Sequence, residues 1–161
     1  MTDHTGNPYS STRIRAALQE GHLDDANRLL GWPWEMRGTV IHGDQRGRTL
    51  GFPTANILPM SDALIPAHGI YAGTCATRSG TTWYKAAISL GHRPMFAVEG
   101  ALLEVHLLDF QGDLYGQELR VRFARKLRDE MRFDSLDALI TQMAMDCDQT
   151  RAILQNRSLT Q

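Results

Sequence analysis

Five short segments between residues 37 and 126 have the composition of β-strands, and they constrain the fold more than any other feature. Each is rich in Val, Ile, Thr and aromatic residues, which favour extended structure. In order they are RGTVIH, GIYAGTCAT, TTWYKAAISL, ALLEVHLLDF and ELRVRFARK. Turn-rich pieces such as RSG, GHRP and QGD separate them. We expect five or six antiparallel strands closed into a small barrel, because closure removes exposed strand edges.

Two short helices are predicted before these strands. SSTRIRAALQEG has Ser10 or Ser11 as a cap, and DDANRLLG has Asp24 as its expected cap and Gly31 as its stop. The tryptophans that flank Pro33 are expected to seat this helical pair on the main body. Residues 1–9 read as a polar tail.

A longer amphipathic helix is predicted at the end of the chain. Its apolar residues recur at helical spacing behind Asp134 and Ser135, which are candidate caps. They are Leu136, Leu139, Ile140, Met143 and Cys147. This helix should lie across the barrel.

Composition narrows the class of protein. The 161 residues favour one domain, and 17 Lys+Arg against 18 Asp+Glu give a net charge of −1. Nucleic-acid binders usually show a basic excess, so that class is disfavoured. The polar N-terminus lacks a signal sequence, no apolar run approaches a membrane span, and Cys75 and Cys147 form no CxxC pair. We therefore expect a soluble, cytoplasmic protein with reduced thiols, no membrane partner and a monomeric state.

The segment QRGRTLGFPTAN could bind a nucleotide and a metal ion. Its glycines allow the backbone to approach a ligand, and Arg46 and Arg48 could contact phosphate. Thr54 and Asn56 lie two residues apart, so in an extended segment their oxygen atoms share one face and suit Mg²⁺. A glycine-rich connection with a polar surface explains the segment equally well.

The segment ALLEVHLLDF places Glu104 and His106 on one face of a strand, between leucines. A buried carboxylate is costly unless it is paired or used, and a positioned one can act as a general base. The alternative is that this face is simply solvated. For His106, a satisfied barrel histidine is favoured over a catalytic role.

The segment KLRDEMRF mixes basic and acidic residues ahead of the last helix. Arg125, Lys126, Arg128 and Arg132 could bind an anion, although such runs are more often solvated faces. Met131 could pack a planar ligand, and so could Phe133, with core packing as the alternative.

Together these motifs resemble the riboflavin kinase family, whose module forms the C-terminal half of bacterial bifunctional FAD synthetase. The resemblance runs from about Gly38 to Leu154 and rests on GDQRGRTLGFPTAN, GIYAG, GHRP, LEVHLLDFQGDLYG and KLRDEMRF. It implies a mainly β fold, a six-stranded antiparallel Greek-key barrel with a C-terminal α-helix and two short N-terminal helices. SSTRIR resembles the end of the adenylyltransferase half, so residues 1–36 are interpreted as its remnant and residues 37–161 as the kinase barrel.

The resemblance also implies an activity, the transfer of the γ-phosphoryl group of ATP to the ribityl 5′-hydroxyl of riboflavin, giving FMN and ADP. It assigns Glu104 as the catalytic base and Mg²⁺, or another divalent cation, to Thr54 and Asn56. The implied nucleotide-binding residues are Arg46, Gly47, Arg48, Gly51, Pro53, Thr54 and Asn56. The implied flavin-binding residues are Leu127, Arg128, Met131 and Phe133.

One motif departs from the family pattern. Bacterial members read N-I-G-x-R-P-T-F where this chain has Ser89 and Met95 in place of the asparagine and threonine. Reduced activity or an altered flavin preference would follow, and a non-catalytic flavin- or nucleotide-binding module is the alternative function. Adenylyl transfer is not expected, because no HxGH-type nucleotide motif is present.

Overall fold

Six antiparallel strands form a closed barrel in the computed structural model, which describes residue 6 and residues 10–43, 51–92 and 100–155. The elements are α1 Ser11–Gln19, α2 Leu23–Leu30, β1 Trp34–Ile41, β2 Ala55–Pro59, β3 Gly69–Thr77, β4 Tyr84–His92, β5 Ala101–Leu107, β6 Glu118–Arg128 and α3 Leu136–Leu154. The strand-like composition of the sequence therefore predicted the correct class of fold.

The strand order around the barrel is β1-β2-β5-β4-β3-β6. Strands β3, β4 and β5 pair consecutively, and β6 returns to pair with β3. This arrangement of three consecutive strands and a fourth beside the first is a Greek key. The predicted six-stranded Greek-key barrel is confirmed.

The barrel interior is filled by every second residue of the strands, because side chains alternate between the two faces of a strand. Tyr71 and Phe123 are fully buried there and pack edge to face, with ring centroids 5.1 Å apart. Their aliphatic neighbours include Ile57, Leu103 and Val105. Residues between these inward positions must therefore face outward.

The N-terminal helices are part of this core. Leu18, Leu23 and Ala26 are buried in the same apolar cluster as the barrel interior. Asn27 fastens α2 to two strands, since its amide nitrogen donates to the carbonyl oxygen of Phe123 at 2.9 Å and its amide oxygen accepts from the backbone N–H of Trp34 at 2.7 Å. The helical pair therefore shares its hydrophobic core with the barrel.

The structure corrects some details at this end of the chain. Ser10 does cap α1, accepting from the N–H of Arg13 at 3.2 Å, and Gly31 does end α2 with a φ of 81°. Asp24 is not a cap, because the burial of Leu23 starts α2 two residues earlier than predicted, with His22 at the cap position, and leaves Asp24 in the first turn. Trp32 is 65% exposed, so only the second tryptophan of the pair helps to seat the helices.

Helix α3 packs on the outside of the barrel, over β3 and β4. Ser135 caps it by accepting from the N–H of Ala138 at 3.1 Å. Of the predicted apolar face, Cys147 is buried, but Leu136 at the first position of the helix is 58% exposed. The packing is concentrated in the second half of the helix, where the buried residues are Asp146, Cys147, Thr150 and Leu154. Within the described residues, the helices lack the length and apolarity to cross a bilayer.

Candidate active site

A row of polar side chains crosses three neighbouring strands on the outside of the barrel. Glu104 on β5 lies directly opposite Asn56 on β2 and directly opposite Ser89 on β4. Residues directly opposite in an antiparallel pair share a face, with Cβ atoms about 4.5–5.5 Å apart. All three are half-buried, and we call Asn56, Glu104 and Ser89 the acidic row. The register therefore brings the predicted base beside the predicted metal ligand.

The row continues across two further strands. Ser89 pairs with Ile70 on β3, and Ile70 pairs with Arg128 at the end of β6. The register between β3 and β6 shifts by one residue between Ile70 and Tyr71, because Leu127 forms a bulge. A bulge re-aims the side chains that follow it. Here it places Arg128 on the outer face, at the same level of the barrel as Glu104.

Asn56 is crowded from the side of β1. A Cβ atom on Gly43, which follows β1, would overlap the Asn56 side-chain amide. Gly43 thus lets the backbone lie directly against that amide. Thr54 lies just before β2 and is half-buried. This contact was not predicted from the sequence, although the glycine in the segment IHGD could have indicated a close backbone approach.

The connection that leads into β2 is fixed by His106. Its Nδ1 atom is 2.7 Å from the carbonyl oxygen of Pro53, so the ring carries a proton at Nδ1 and donates it. The ring also lies against Phe52 at a right-angled contact, with centroids 5.7 Å apart. His106 therefore holds the PTAN backbone in place, in line with the favoured reading of a satisfied barrel histidine. Gly51, with a φ of 85°, sits at the turn before it.

The oxygen atoms of Thr54 and Asn56 suit a hard divalent cation. Across the ranges 10–43, 51–92 and 100–155 no three His, Cys, Asp or Glu side chains form a metal cluster. Magnesium is commonly held by one or two protein groups together with substrate phosphates and water. Asn56 opposite the Glu104 carboxylate, with Thr54 two residues earlier in the chain, fits that kind of shared site better than a closed protein cage.

The predicted flavin-binding residues lie at the end of β6 and in the connection to α3. Leu127 and Arg128 are half-buried, Met131 is 53% exposed, and Phe133 is half-buried. The Arg128 guanidinium lies 5.8 Å from the centroid of the Phe133 ring. Arg128 hydrogen-bonds to Asp146 of α3 and lies at the far end of the row that contains Glu104.

The first residue of this connection forms an ion pair with a residue of β6. The Lys126 Nζ atom donates to the Asp129 carboxylate at 2.6 Å, and this hydrogen bond holds the pKa of Asp129 below its usual range. Lys126 is thus engaged within the protein. The sequence-based hypothesis that the basic run binds an anion gains nothing from Lys126.

Some predicted site residues fall outside the described part of the chain. They are Arg46, Gly47 and Arg48 of the nucleotide loop, and Met95 of the departing motif. Asp146 of α3 is the residue that sequence reasoning missed most clearly, since it lies within a helix whose apolar spacing drew attention elsewhere. Its buried carboxylate pairs with Arg128.

Comparisons with known proteins identify the family of this chain. The flavokinase family model, described as riboflavin kinase, matches residues 30–154. A bifunctional riboflavin kinase/FMN adenylyltransferase from Listeria monocytogenes is 44% identical over 144 residues, which cover 89% of this chain and 45% of the relative. The enzyme of the same name from Escherichia coli K12 is 44% identical over 85% of this chain and 43% of its own. The chain thus spans under half the length of these relatives.

Two crystal structures resemble the barrel. Riboflavin kinase from Trypanosoma brucei gives a TM-score of 0.56 at 27% identity, covering 79% of this chain and 83% of its own. A protein named macrolide-efflux protein from Streptococcus pneumoniae gives 0.86 at 39% identity, covering 98% of this chain and 50% of its own. The closed six-stranded barrel of this chain is the architecture that these structures share. The chain belongs to the riboflavin kinase family.

Proposed function

We propose that the chain is a riboflavin kinase, which transfers the γ-phosphoryl group of ATP to the 5′-hydroxyl of the ribityl chain of riboflavin. The observation that carries this proposal is the register that sets Glu104 between Asn56 and Ser89 on the outer face of the barrel. Phosphoryl transfer depends mainly on positioning and charge neutralisation. A carboxylate beside neutral oxygen donors suits that task.

Glu104 orients the attacking hydroxyl and accepts its proton. The ribityl oxygen forms a bond to the γ-phosphorus, the bond from that phosphorus to the β,γ-bridging oxygen breaks, and ADP leaves. Since an aliphatic alcohol is a weak acid, proton transfer to Glu104 comes late, after the new bond has begun to form. Positioned bases of this kind typically contribute about 10²–10⁴-fold.

Thr54 and Asn56 would hold Mg²⁺ through their side-chain oxygens, and the metal would neutralise charge on the phosphates. Gly43 lets the backbone pack directly against the Asn56 amide, and His106 fixes the Pro53 carbonyl just before Thr54. The nucleotide loop with Arg46, Gly47 and Arg48 would surround the phosphates. Leu127, Arg128, Met131 and Phe133 would form the wall beside the isoalloxazine ring.

A non-catalytic flavin- or nucleotide-binding module is the second candidate. The observation that favours it is the position of Ser89, directly opposite Glu104. Ser89 departs from the family pattern, and this departure lies next to the proposed catalytic base. The two candidates share the same ligands and differ in turnover.

Several further expectations also stay proposals. We infer that the chain acts in the cytoplasm as a monomer, without nucleic acid or membrane, and that it does not transfer an adenylyl group. We also propose that residues 1–36 correspond to the end of an adenylyltransferase half. Gel filtration tests the monomeric state, and a search for FAD among the products tests whether the chain transfers an adenylyl group.

The test of the proposed function is incubation of the purified chain with riboflavin, Mg²⁺ and ATP, followed by chromatographic separation of riboflavin, FMN and FAD. Kinase function predicts FMN in amounts equal to ADP, and loss of product when the metal is chelated. Riboflavin that binds tightly but stays unphosphorylated, with ATP or with other nucleoside triphosphates, would instead establish the binding module.

A further inference from the structure

The carboxylate of Asp146, on helix α3, is buried and accepts three hydrogen bonds. Arg128 donates to it from Nε at 3.0 Å and from Nη2 at 2.8 Å, and Gln142 donates from Nε2 at 3.0 Å. The Asp146 side chain is 6% exposed and that of Arg128 is 17% exposed. This is a two-pronged ion pair, the geometry in which a guanidinium and a carboxylate bind most strongly and with a defined orientation.

The remaining terminal nitrogen of Arg128 is also engaged. Its Nη1 atom donates to the carbonyl oxygen of Asp129 at 3.1 Å, and the guanidinium lies over the Phe133 ring. The side chain is therefore fixed by α3 on one side and by the connection after β6 on the other. A guanidinium held in this way acts on its surroundings through position.

The connection that Arg128 contacts, residues 129–133, has no regular secondary structure. Its first residue, Asp129, is also held by a hydrogen bond from Lys126, and the Glu130 carboxylate lies where a Cβ atom on Gly91 would be. Met131, the next residue, is 53% exposed. Because no backbone ladder holds this connection, its placement beside the acidic row depends on such side-chain anchors.

A buried ion pair is weak grounds for stability. The desolvation of the two charges offsets much of their attraction, and apolar replacements of similar volume are often neutral or stabilising. Apolar side chains would not fix the orientation of their neighbours as this ion pair does. The pair is therefore suited to positioning the residues that Arg128 contacts.

We propose that Asp146 and Arg128 are positioning residues for flavin binding, which set the connection 129–133 and its side chains Met131 and Phe133 against the flavin ring. Asp146 acts through Arg128, and Arg128 acts mainly through the connection. This inference rests on the proposed function, since it assigns a role within the same site.

The first test is Asp146→Asn, which keeps the shape of the side chain but removes its charge. We expect the KM for riboflavin to rise by about tenfold or more, because a small misplacement of a binding wall is costly. The KM for ATP and kcat should stay within about twofold, the range left when nucleotide positioning is intact. A merely structural role would lower the active fraction, and with it the apparent kcat, while leaving both KM values unchanged. That result would overturn the proposal.

Strand β6 also supplies a matched control. Arg122, six residues before Arg128, donates from Nε to Glu35 at 3.0 Å, and their side chains are 24% and 20% exposed. This pair faces β1, away from the connection 129–133. Glu35→Gln should leave the KM for riboflavin unchanged. An equal rise in both variants would show that any broken ion pair on β6 disturbs the site, which contradicts a specific role for Asp146.

A second pair of variants covers the case in which Asp146→Asn does not fold. Arg128→Lys keeps the charge but loses the planar fork, and the double variant Arg128→Met with Asp146→Leu removes both charges together. Their folding is followed by circular dichroism, and riboflavin binding by the quenching of flavin fluorescence without ATP. We expect folded proteins with a dissociation constant at least about tenfold higher. Wild-type affinity in a folded variant would refute the proposal.

The titration separates this inference from the proposed function. A wild-type chain that binds riboflavin but forms no FMN would contradict the kinase function. The same titration with the variants would still measure whether the pair positions the flavin wall.

Discussion

Two outer faces of the barrel each carry a half-buried glutamate, but the residues opposite the two glutamates differ in charge. On the face formed by β1 and β6, Glu35 lies opposite Arg122 in the register and accepts hydrogen bonds from Arg37 at 2.9 Å and from Arg122 at 3.0 Å. On the face formed by β2, β5 and β4, Glu104 lies opposite Asn56 and Ser89, and neither of these partners carries a charge.

The first face is reinforced further by an aromatic ring. The guanidinium groups of Arg122 and Arg120 lie 4.0 Å and 4.7 Å from the centroid of the Trp83 ring, which suits cation–π contact. Burial alone would raise the pKa of Glu35, but hydrogen bonds from Arg37 and Arg122 outweigh it and hold the pKa below its usual range. This face is therefore a charge-balanced structural surface.

We propose that this difference separates stability from chemistry within one barrel. On the first face, neighbouring arginines hold a glutamate in place. On the second face, the residues opposite Glu104 are the neutral oxygen donors Asn56 and Ser89, and in the proposed kinase the substrates bring the metal ion and the hydroxyl group to them.

Removing the charge of each glutamate in turn should give the largest difference between the two faces. We expect Glu104→Gln to lower kcat for FMN formation by about 10²–10⁴-fold, because it removes the proton acceptor. Glu35→Gln, the same change on the other face, should leave kcat unchanged. Steady-state assays of both variants check this, and a near-native rate for Glu104→Gln would exclude it as the base.

Gly43 offers a smaller perturbation of the acidic row. A methyl group in Gly43→Ala would push the Asn56 amide away, so we expect kcat to fall by about tenfold and more Mg²⁺ to be needed for half-maximal rate. Gly80→Ala crowds the Thr77 hydroxyl in the same manner, at the turn after β3. That control should keep the wild-type metal dependence. Equal metal dependence in both variants would argue against Asn56 as a ligand.

Ser89→Asn restores the residue typical of bacterial family members beside Glu104. We expect the rate of FMN formation to change by at most about fivefold, since a cross-strand pair contributes ~1 kcal/mol or less. An increase is the predicted direction, measured as kcat/KM for riboflavin. A decrease would show that this chain has adapted its site to serine.

The smallest effect concerns stability on the charge-balanced face. The lowered pKa of Glu35 stabilises the fold above its unfolded pKa of about 4.5, and that contribution disappears as the pH falls through the lower folded value. We expect Glu35→Gln to cost about 1 kcal/mol or less near neutral pH, as for partly exposed pairs. Urea unfolding between pH 7 and pH 3 should show the two proteins converging in acid. A constant difference would contradict this linkage.

Much of the fold could be predicted because strand composition and turn chemistry are local signals. The three helices followed from periodicity and caps, and Ser10 and Ser135 cap as expected. Asp24 failed as a cap because the burial of Leu23 outweighed the local preference. Leu136 failed as a core residue because packing on the barrel begins further along α3.

Site prediction depended on information of a different kind. Family motifs selected Asn56 and Glu104, but only the register shows them directly opposite. The Asp146–Arg128 pair was hidden because the two residues lie eighteen positions apart in different elements. The contact of Gly43 with Asn56 was hidden for a similar reason, since a glycine offers no side chain to signal what packs against it.

The central claim is tested most directly by following the label of [γ-³²P]ATP in a single turnover with riboflavin and Mg²⁺. We expect the label to appear on FMN with the wild-type chain and with Glu35→Gln, and to remain on ATP with Glu104→Gln over the same period. Label released as inorganic phosphate, or left on ATP by the wild-type chain while riboflavin is bound, would contradict the account.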